Sequence, residues 1–181
     1  MPLRAATAAA VLVSTLAQAP ESTTPRTADS VDLSKYAGTY YETARFPNRF
    51  QKQCAGNVTT TYTLESDGRV GVVNRCVRED GTVEEARGVA RRAGNDQSNA
   101  RLQVRFAPAW LSFLPRVWRD HWILSTGPDY GYAVVGSPSR EHLWILSRTP
   151  RMSELAYRQA VEIARANGYD VDKLIRTTQE R

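Results

Sequence analysis

Beyond residue 38 the chain runs in short stretches where apolar or β-branched residues recur at every second position, each stretch ended by turn-forming residues. Residues 39–46 are rich in aromatic and β-favouring side chains and stop at Pro47. Residues 57–65 (Asn-Val-Thr-Thr-Thr-Tyr-Thr-Leu-Glu) are strongly β-branched. Ser66-Asp67-Gly68 is a hairpin signal, and 69–77 returns with Val70, Val72, Val73 and Val77. Asp80-Gly81 turns the chain into 82–92, and Gly94-Asn95-Asp96 turns it into 100–106, where Leu102, Val104 and Phe106 share a face. A longer connection, 107–118, leads into 120–126. Gly127-Pro128-Asp129 then opens 130–136, and Ser137-Pro138-Ser139 opens 141–148. The pattern predicts eight strands joined in chain order. Such an all-β chain closes as an eight-stranded antiparallel up-and-down β-barrel, whose interior can hold one small ligand.

The period then switches. Met152, Leu155, Ala156, Gln159, Ala160, Ile163 and Ala164 recur at steps of three and four, which predicts an amphipathic helix over 153–167. Ser153 is the expected N-cap and Asn167-Gly168 the stop. The Ala stripe fits packing of this helix on the outside of the barrel, and 172–177 is expected to add a short final strand.

At the other end, Arg4, an apolar run over 5–16 and Ala17-Gln18-Ala19 read as a secretory signal peptide, 1–19, with a frayed helix as the alternative. The run is too short to span a bilayer. Residues 20–31, rich in Pro, Ser, Thr and Glu, read as a polar linker, leaving a domain over 32–181. The chain is therefore expected to be exported. No cysteine lies near the cleavage site, so a soluble periplasmic or secreted form, at most peripheral to the outer membrane, is expected.

Length and composition narrow the function. The 181 residues suit one domain. Two cysteines exclude a disulfide framework and a four-ligand zinc site, and two histidines leave little for a metal cluster. The net charge of +5 invites a nucleic-acid reading. However, the arginines are scattered singly or in pairs, with no basic run and no strand face of stacking aromatics. No nucleic-acid partner, metal or cofactor is expected.

Three motifs carry a family resemblance. Gly38-Thr39-Tyr40-Tyr41-Glu42 resembles the Gly-x-Trp signature of the lipocalins, with Tyr40 in place of the tryptophan. Gly127-Pro128-Asp129-Tyr130 resembles their Thr-Asp-Tyr turn, and Leu143 to Pro150, with Arg148, resembles the arginine-bearing last strand. With Asp67-Gly68 and the terminal helix, residues 31–178 resemble the bacterial outer-membrane, apolipoprotein D-like members. The resemblance implies lipid binding linked to envelope maintenance, and a barrel-closing role for Gly38, Tyr40, Asp129, Tyr130 and Arg148. Alternation alone puts Arg148 on a face with Leu146 and Trp144, and Tyr40 with Glu42 and Ala44. Because the last strand of a ring lies beside the first, the Arg148 guanidinium is expected over the Tyr40 ring, a contact worth about 0.5–2 kcal/mol.

Counting turns puts Asp67-Gly68 and Pro128-Asp129 at this closed end and the two longest connections, 47–56 and 107–117, at the opposite rim. Cys54 lies in the first rim loop. Simple pairing about Asp67-Gly68 sets Cys76 opposite Thr59, too far for a ladder disulfide. An inward-folded loop could still join the two sulfurs, and a free Cys54 nucleophile is the rival. Trp110, Leu111, Phe113 and Leu114, flanked by Arg116 and Arg119, suit either contact of the 107–119 loop with a membrane surface or a lid over the cavity. Parity places Thr60, Tyr62, Val72, Asn74, Val104, Phe106, His121, Ile123, Ala133, Val135, Trp144 and Leu146 on the inner wall, with Trp110 at the portal. An apolar wall with a few polar heads is the make-up of a small-molecule cavity. The expected function is non-enzymatic carriage of a hydrophobic ligand with a polar head, a fatty acid or lysophospholipid. The alternative is a lipid isomerase or hydrolase in the same barrel, for which no nucleophile–base spacing or carboxylate pair is present.

Overall fold

The computed structural model describes residues 24–180, so the signal-peptide segment 1–19 lies outside the described residues. Eight strands follow in chain order: β1 Gly38–Arg45, β2 Gly56–Leu64, β3 Val70–Val77, β4 Val83–Arg92, β5 Arg101–Arg105, β6 Arg119–Thr126, β7 Tyr132–Gly136 and β8 Leu143–Ser147. Each pairs antiparallel with the next. β8 returns to β1 (Tyr41↔Ser147, Glu42↔Leu146), and β1 also pairs with β2 (Gly38↔Tyr62 to Tyr41↔Thr59). The sheet is thus a closed barrel, and closure leaves the eight strands no free edge over the shared span. Helix α2, Glu154–Ala166, is capped by the Ser153 hydroxyl, which accepts from the Ala156 N–H, and packs outside on β6, β7 and β8.

Three local features depart from simple alternation. In β1 the register shifts between Glu42 and Ala44, so Thr43 is an extra residue. Glu42 pairs with inward-facing Leu146, while Ala44 pairs with Ile145 and joins the core under α2. Tyr40 and Glu42 therefore share a face, but the bulge carries Ala44 to the other. In β6 a second bulge at Leu124 lets Ile123 face inward and Leu124 face α2. In the β2–β3 hairpin Thr60 pairs with Asn74 and Thr59 with Arg75, one residue off the register that simple pairing gives, so Cys76 is not opposite Thr59.

Chain ends complete the barrel. A short helix not anticipated by periodicity, α1 Leu33–Tyr36, starts where the Asp32 carboxylate accepts from the Ser34 and Lys35 N–H groups. The stretch read as a linker is described from Thr24 onward, and there it is laid against the barrel. Pro25 and Val31 are buried, Ala28 N–H donates to Ile123 O at 3.0 Å, and Val31 N–H donates to Ser98 O at 2.7 Å. The last strand is shorter than expected, β9 Ile175–Arg176, after a 3-10 turn at Val171–Lys173. It runs beside the second half of β1, where β2 has diverged. Gln179 Nε2 then donates to both Glu42 O (2.9 Å) and Val58 O (2.8 Å), spanning the split between β1 and β2.

Two apolar cores result. Inside the barrel lie Tyr36, Tyr40, Tyr62, Val72, Leu102 and Ile123 with their neighbours, and between barrel and α2 lie Val134, Leu143, Ile145, Ala160 and Ala164. Ile145 is fully buried in the second core. Ile145→Ala is expected to lower unfolding free energy by about 2–5 kcal/mol, measured by urea denaturation. A loss below about 1 kcal/mol would mean that α2 is not held by this core.

Candidate functional site

The closed end is built from β1, β8 and α1. Arg148 follows β8, and its guanidinium lies 3.8 Å from the centroid of the Tyr40 ring. Its nitrogens donate to four backbone carbonyls, those of Lys35 (2.7 Å), Tyr36 (3.2 Å), Ala37 (2.8 Å) and Thr39 (3.3 Å). Three of these belong to the end of α1, whose last carbonyls lack intrahelical partners. Gly38 makes room for this: its φ is +111°, and a Cβ there would sit 2.7 Å from an Arg148 nitrogen. Asp129 and Tyr130 both take left-handed conformations in the β6–β7 turn, and the Tyr130 hydroxyl accepts from the Asp32 N–H at 2.8 Å. All five signature residues thus meet at one end.

Above this end the interior is filled by aromatic rings. Tyr36, Tyr40 and Tyr62 pack together with centroids 4.8–6.0 Å apart. Tyr62 on β2 reaches the opposite wall, where its hydroxyl lies 3.1 Å from His121 Nε2 on β6. This pair forms a crossbar. Below it Val70, Ala90, Ala100, Leu102, Ile123 and Leu146 fill the barrel as a packed floor. Burial pushes the Tyr62 hydroxyl pKa up and the His121 imidazole down to about 4, so both are uncharged at neutral pH.

Above the crossbar the inward positions are only partly covered and form a cup. Thr60, Asn74, Val104 and Trp144 line it, and Phe106 extends the wall toward the rim, where its ring packs on Gly88 and stays partly exposed. Val72, Ile123, Ala133, Val135 and Leu146 are also inward but belong to the packed interior rather than to open surface. Tyr62 and His121 form the boundary between the two. The wall is mostly apolar with neutral polar atoms, able to take a hydrocarbon chain.

The mouth is shaped by the β1–β2 connection. Cys54 and Cys76 are disulfide-bonded with Cα atoms 5.5 Å apart, which answers the alternatives left open for these residues. Cys76 is inward-facing and buried, so the bond draws the connection across the rim. It closes a loop of 22 residues, worth about 3 kcal/mol by chain entropy. Gln51 in that connection accepts from Trp144 Nε1 (3.0 Å) and donates to Glu42 Oε2 (2.6 Å). Glu42 is buried, and its other oxygen takes Arg45 (3.0 Å) and the Thr177 hydroxyl (2.5 Å). Sequence reasoning missed this cluster. A carboxylate in the middle of a core strand was the available signal; the approach of Gln51 and Thr177 from distant segments had none.

The β5–β6 connection lies differently. Trp118 is clamped at the barrel's outer surface, with the Arg91 guanidinium 3.9 Å and the Arg105 guanidinium 5.3 Å from its ring, and donates its Nε1–H to Ser112 O at 2.8 Å. From this anchor Trp110 and Phe113 project into solvent, 73% and 74% exposed. Trp110 therefore does not line the cup, and the connection does not fold back as a lid. Two 3-10 turns, Ala109–Leu111 and Pro115–Val117, stiffen it and turn its apolar side chains outward.

Comparison with known proteins follows the same lines. A family model described as a Lipocalin-like domain matches residues 31–179. Temperature-induced lipocalin-1 of Arabidopsis thaliana is 41% identical over 150 residues, covering 82% of this chain and 80% of the relative. Outer membrane lipoprotein Blc of Escherichia coli K12 is 33% identical over 176 residues, covering 97% and 94%. Apolipoprotein D of Mus musculus is 31% identical over 164 residues, covering 86% and 80%. Among solved structures, insecticyanin from the tobacco hornworm Manduca sexta superposes with a TM-score of 0.67 at 22% identity, covering 87% of this chain and 85% of its own. Lobster apocrustacyanin A1 does so at 0.64 and 17%, covering 87% and 91%.

The crossbar has a pH signature. An exposed imidazole titrates near 6.5, but His121 in the folded chain takes its proton only near pH 4. Between these values the unfolded chain binds a proton that the folded chain does not, so stability falls as pH drops through this window and is unaffected by this group above it. His121→Gln is expected to lose less stability than the wild type between pH 6.5 and 4, measured by urea denaturation. Equal losses would mean that His121 is solvated rather than buried behind Tyr62.

Proposed function

The chain belongs to the lipocalin family, whose members bind small hydrophobic ligands, and we propose that it carries a fatty acid or lysophospholipid in the cup. The observation that carries this reading is the division of the barrel by Tyr62 and His121 into a packed floor and an apolar cup open at one end. An alkyl chain entering the cup gains about 0.8 kcal/mol for each CH₂ taken from water. Carriage needs no bond-making, and the one hydroxyl–imidazole pair described at the cup, Tyr62 and His121, is hydrogen-bonded to itself across the barrel.

The setting of this activity is the cell envelope. The leader read from the sequence, together with relatives described as outer membrane lipoproteins, supports export to the periplasm or beyond, and lipid storage or transport there. No described helix is long and apolar enough to cross a membrane. The 107–119 connection supplies a surface contact instead. Trp110 and Phe113 stand in solvent beside Arg116 and Arg119, a combination suited to the interface of an anionic bilayer. A loop at the rim would bring the mouth of the cup to the lipid.

Protein recovered from its own envelope is expected to hold intact, unmodified lipid by native mass spectrometry and extraction, and recovery of a converted lipid would overturn the carrier reading. Trp110→Ser with Phe113→Ser is expected to weaken flotation with phosphatidylglycerol vesicles several-fold while palmitate still quenches Trp144 fluorescence. Unchanged flotation would remove the membrane role of the loop.

A further inference from the structure

Several described cations at the mouth have no carboxylate on them, and two of these flank the cup. Arg75, Arg78 and Arg45 hold Glu85, Glu84 and Glu42. Among the described residues Arg49 and Arg119 hold none. Arg49 opens the 3-10 turn of the β1–β2 connection, and Arg119 opens β6 on the inward parity, opposite Val104. Both guanidiniums are exposed, and both act on His142: burial lowers the His142 pKa first, Glu141 raises it, and Arg119 and Arg49 lower it further. Both arginines therefore lie around His142 at the rim.

A path of rings leads from the rim inward. Arg49 lies 5.1 Å over the Phe50 ring, which is half exposed. Phe50 packs on His142 with centroids 6.0 Å apart, and His142 stacks on Trp144 at 5.7 Å and 18°. Trp144 faces the cup. The path is thus cationic and wet at its outer end and apolar at its inner end, the polarity of a single-chain amphiphile.

The interior fixes the direction in which such a molecule enters. His121 and Tyr62, which bound the cup below, are uncharged, and the buried Glu42 carboxylate already holds Arg45. A charged head pushed to the crossbar would lose its water and find no counter-charge. At the rim it meets two unpaired guanidiniums, which bind carboxylate or phosphate through charge-assisted hydrogen bonds. We infer that the mouth selects amphiphiles with a net-anionic head, held between Arg49 and Arg119, with the chain running over Phe50, His142 and Trp144 into the cup. This rests on the carrier reading above and adds to it the charge of the head and the direction of the chain.

The test pairs ligands of equal chain and different head: palmitate against cetyl alcohol, and palmitoyl lysophosphatidic acid against palmitoyl lysophosphatidylcholine. Affinities are measured by tryptophan fluorescence on the wild type and on Arg49→Gln/Arg119→Gln, with circular dichroism confirming that the double variant is folded. The wild type is expected to prefer the anion by about ten-fold in at least one pair, the scale of one or two charge-assisted hydrogen bonds. The double variant is expected to shrink that preference to within about two-fold, and the pair that responds identifies carboxylate or phosphate. No preference in either pair, or a preference that survives the double variant, overturns the inference and leaves carriage standing. Failure of all four ligands to bind overturns both.

Discussion

The interaction on which the rest depends is the pairing of β1 along both of its edges, with β2 over Gly38–Tyr41 and with β8 over Tyr41–Arg45. That double pairing turns a meander into a ring and so defines an inside. It also brings β8's end beside β1's start, where Arg148 can lie on Tyr40 and gather the α1 carbonyls. A guanidinium suits this place because it offers five N–H donors in a plane that also stacks on a ring. A lysine could satisfy some carbonyls but not cover the tyrosine. The closed floor is therefore a consequence of ring closure, and the cup is what remains above it.

Much of this was legible in the alternation of side chains. Val70 and Val72, Leu102 and Val104, and Trp144 and Leu146 all face inward as their spacing requires. Alternation failed where the backbone adds a residue. The bulge at Thr43 turns Ala44 outward and leaves Glu42 at the split between β1 and β2, and the bulge at Leu124 feeds both cores from adjacent positions. A bulge costs the ladder one residue and carries no composition signal of its own in these strands. The Ile123 carbonyl, just beyond the start of β5, is taken by Ala28, which binds part of a segment that reads as linker from composition alone.

The site was legible in part for the same reason. Parity identified the wall, but not how far down it is open. That depends on one tyrosine being long enough to cross the barrel to His121. Nor could parity say where the rim loops go. The β1–β2 connection turns inward because Cys76 faces in and Gln51 finds Trp144 and Glu42. The β5–β6 connection turns outward because Trp118 is held by Arg91 and Arg105 on the outer surface. Both outcomes rest on contacts between residues far apart in sequence. Near the mouth Arg45, Arg75 and Arg78 hold carboxylates, whereas among the described residues Arg49 and Arg119 at the cup's entrance hold none.

The central claim is a barrel divided by Tyr62 and His121, packed below and open above. Titration of palmitate into isotope-labelled protein, followed by NMR shifts of backbone amides and methyl groups, tests it most directly. The account predicts that shifts concentrate at Thr60, Asn74, Val104 and Trp144, while Val70, Ala100, Leu102 and Ile123 stay in place. Shifts concentrated in that second group, with the first unchanged, would contradict it.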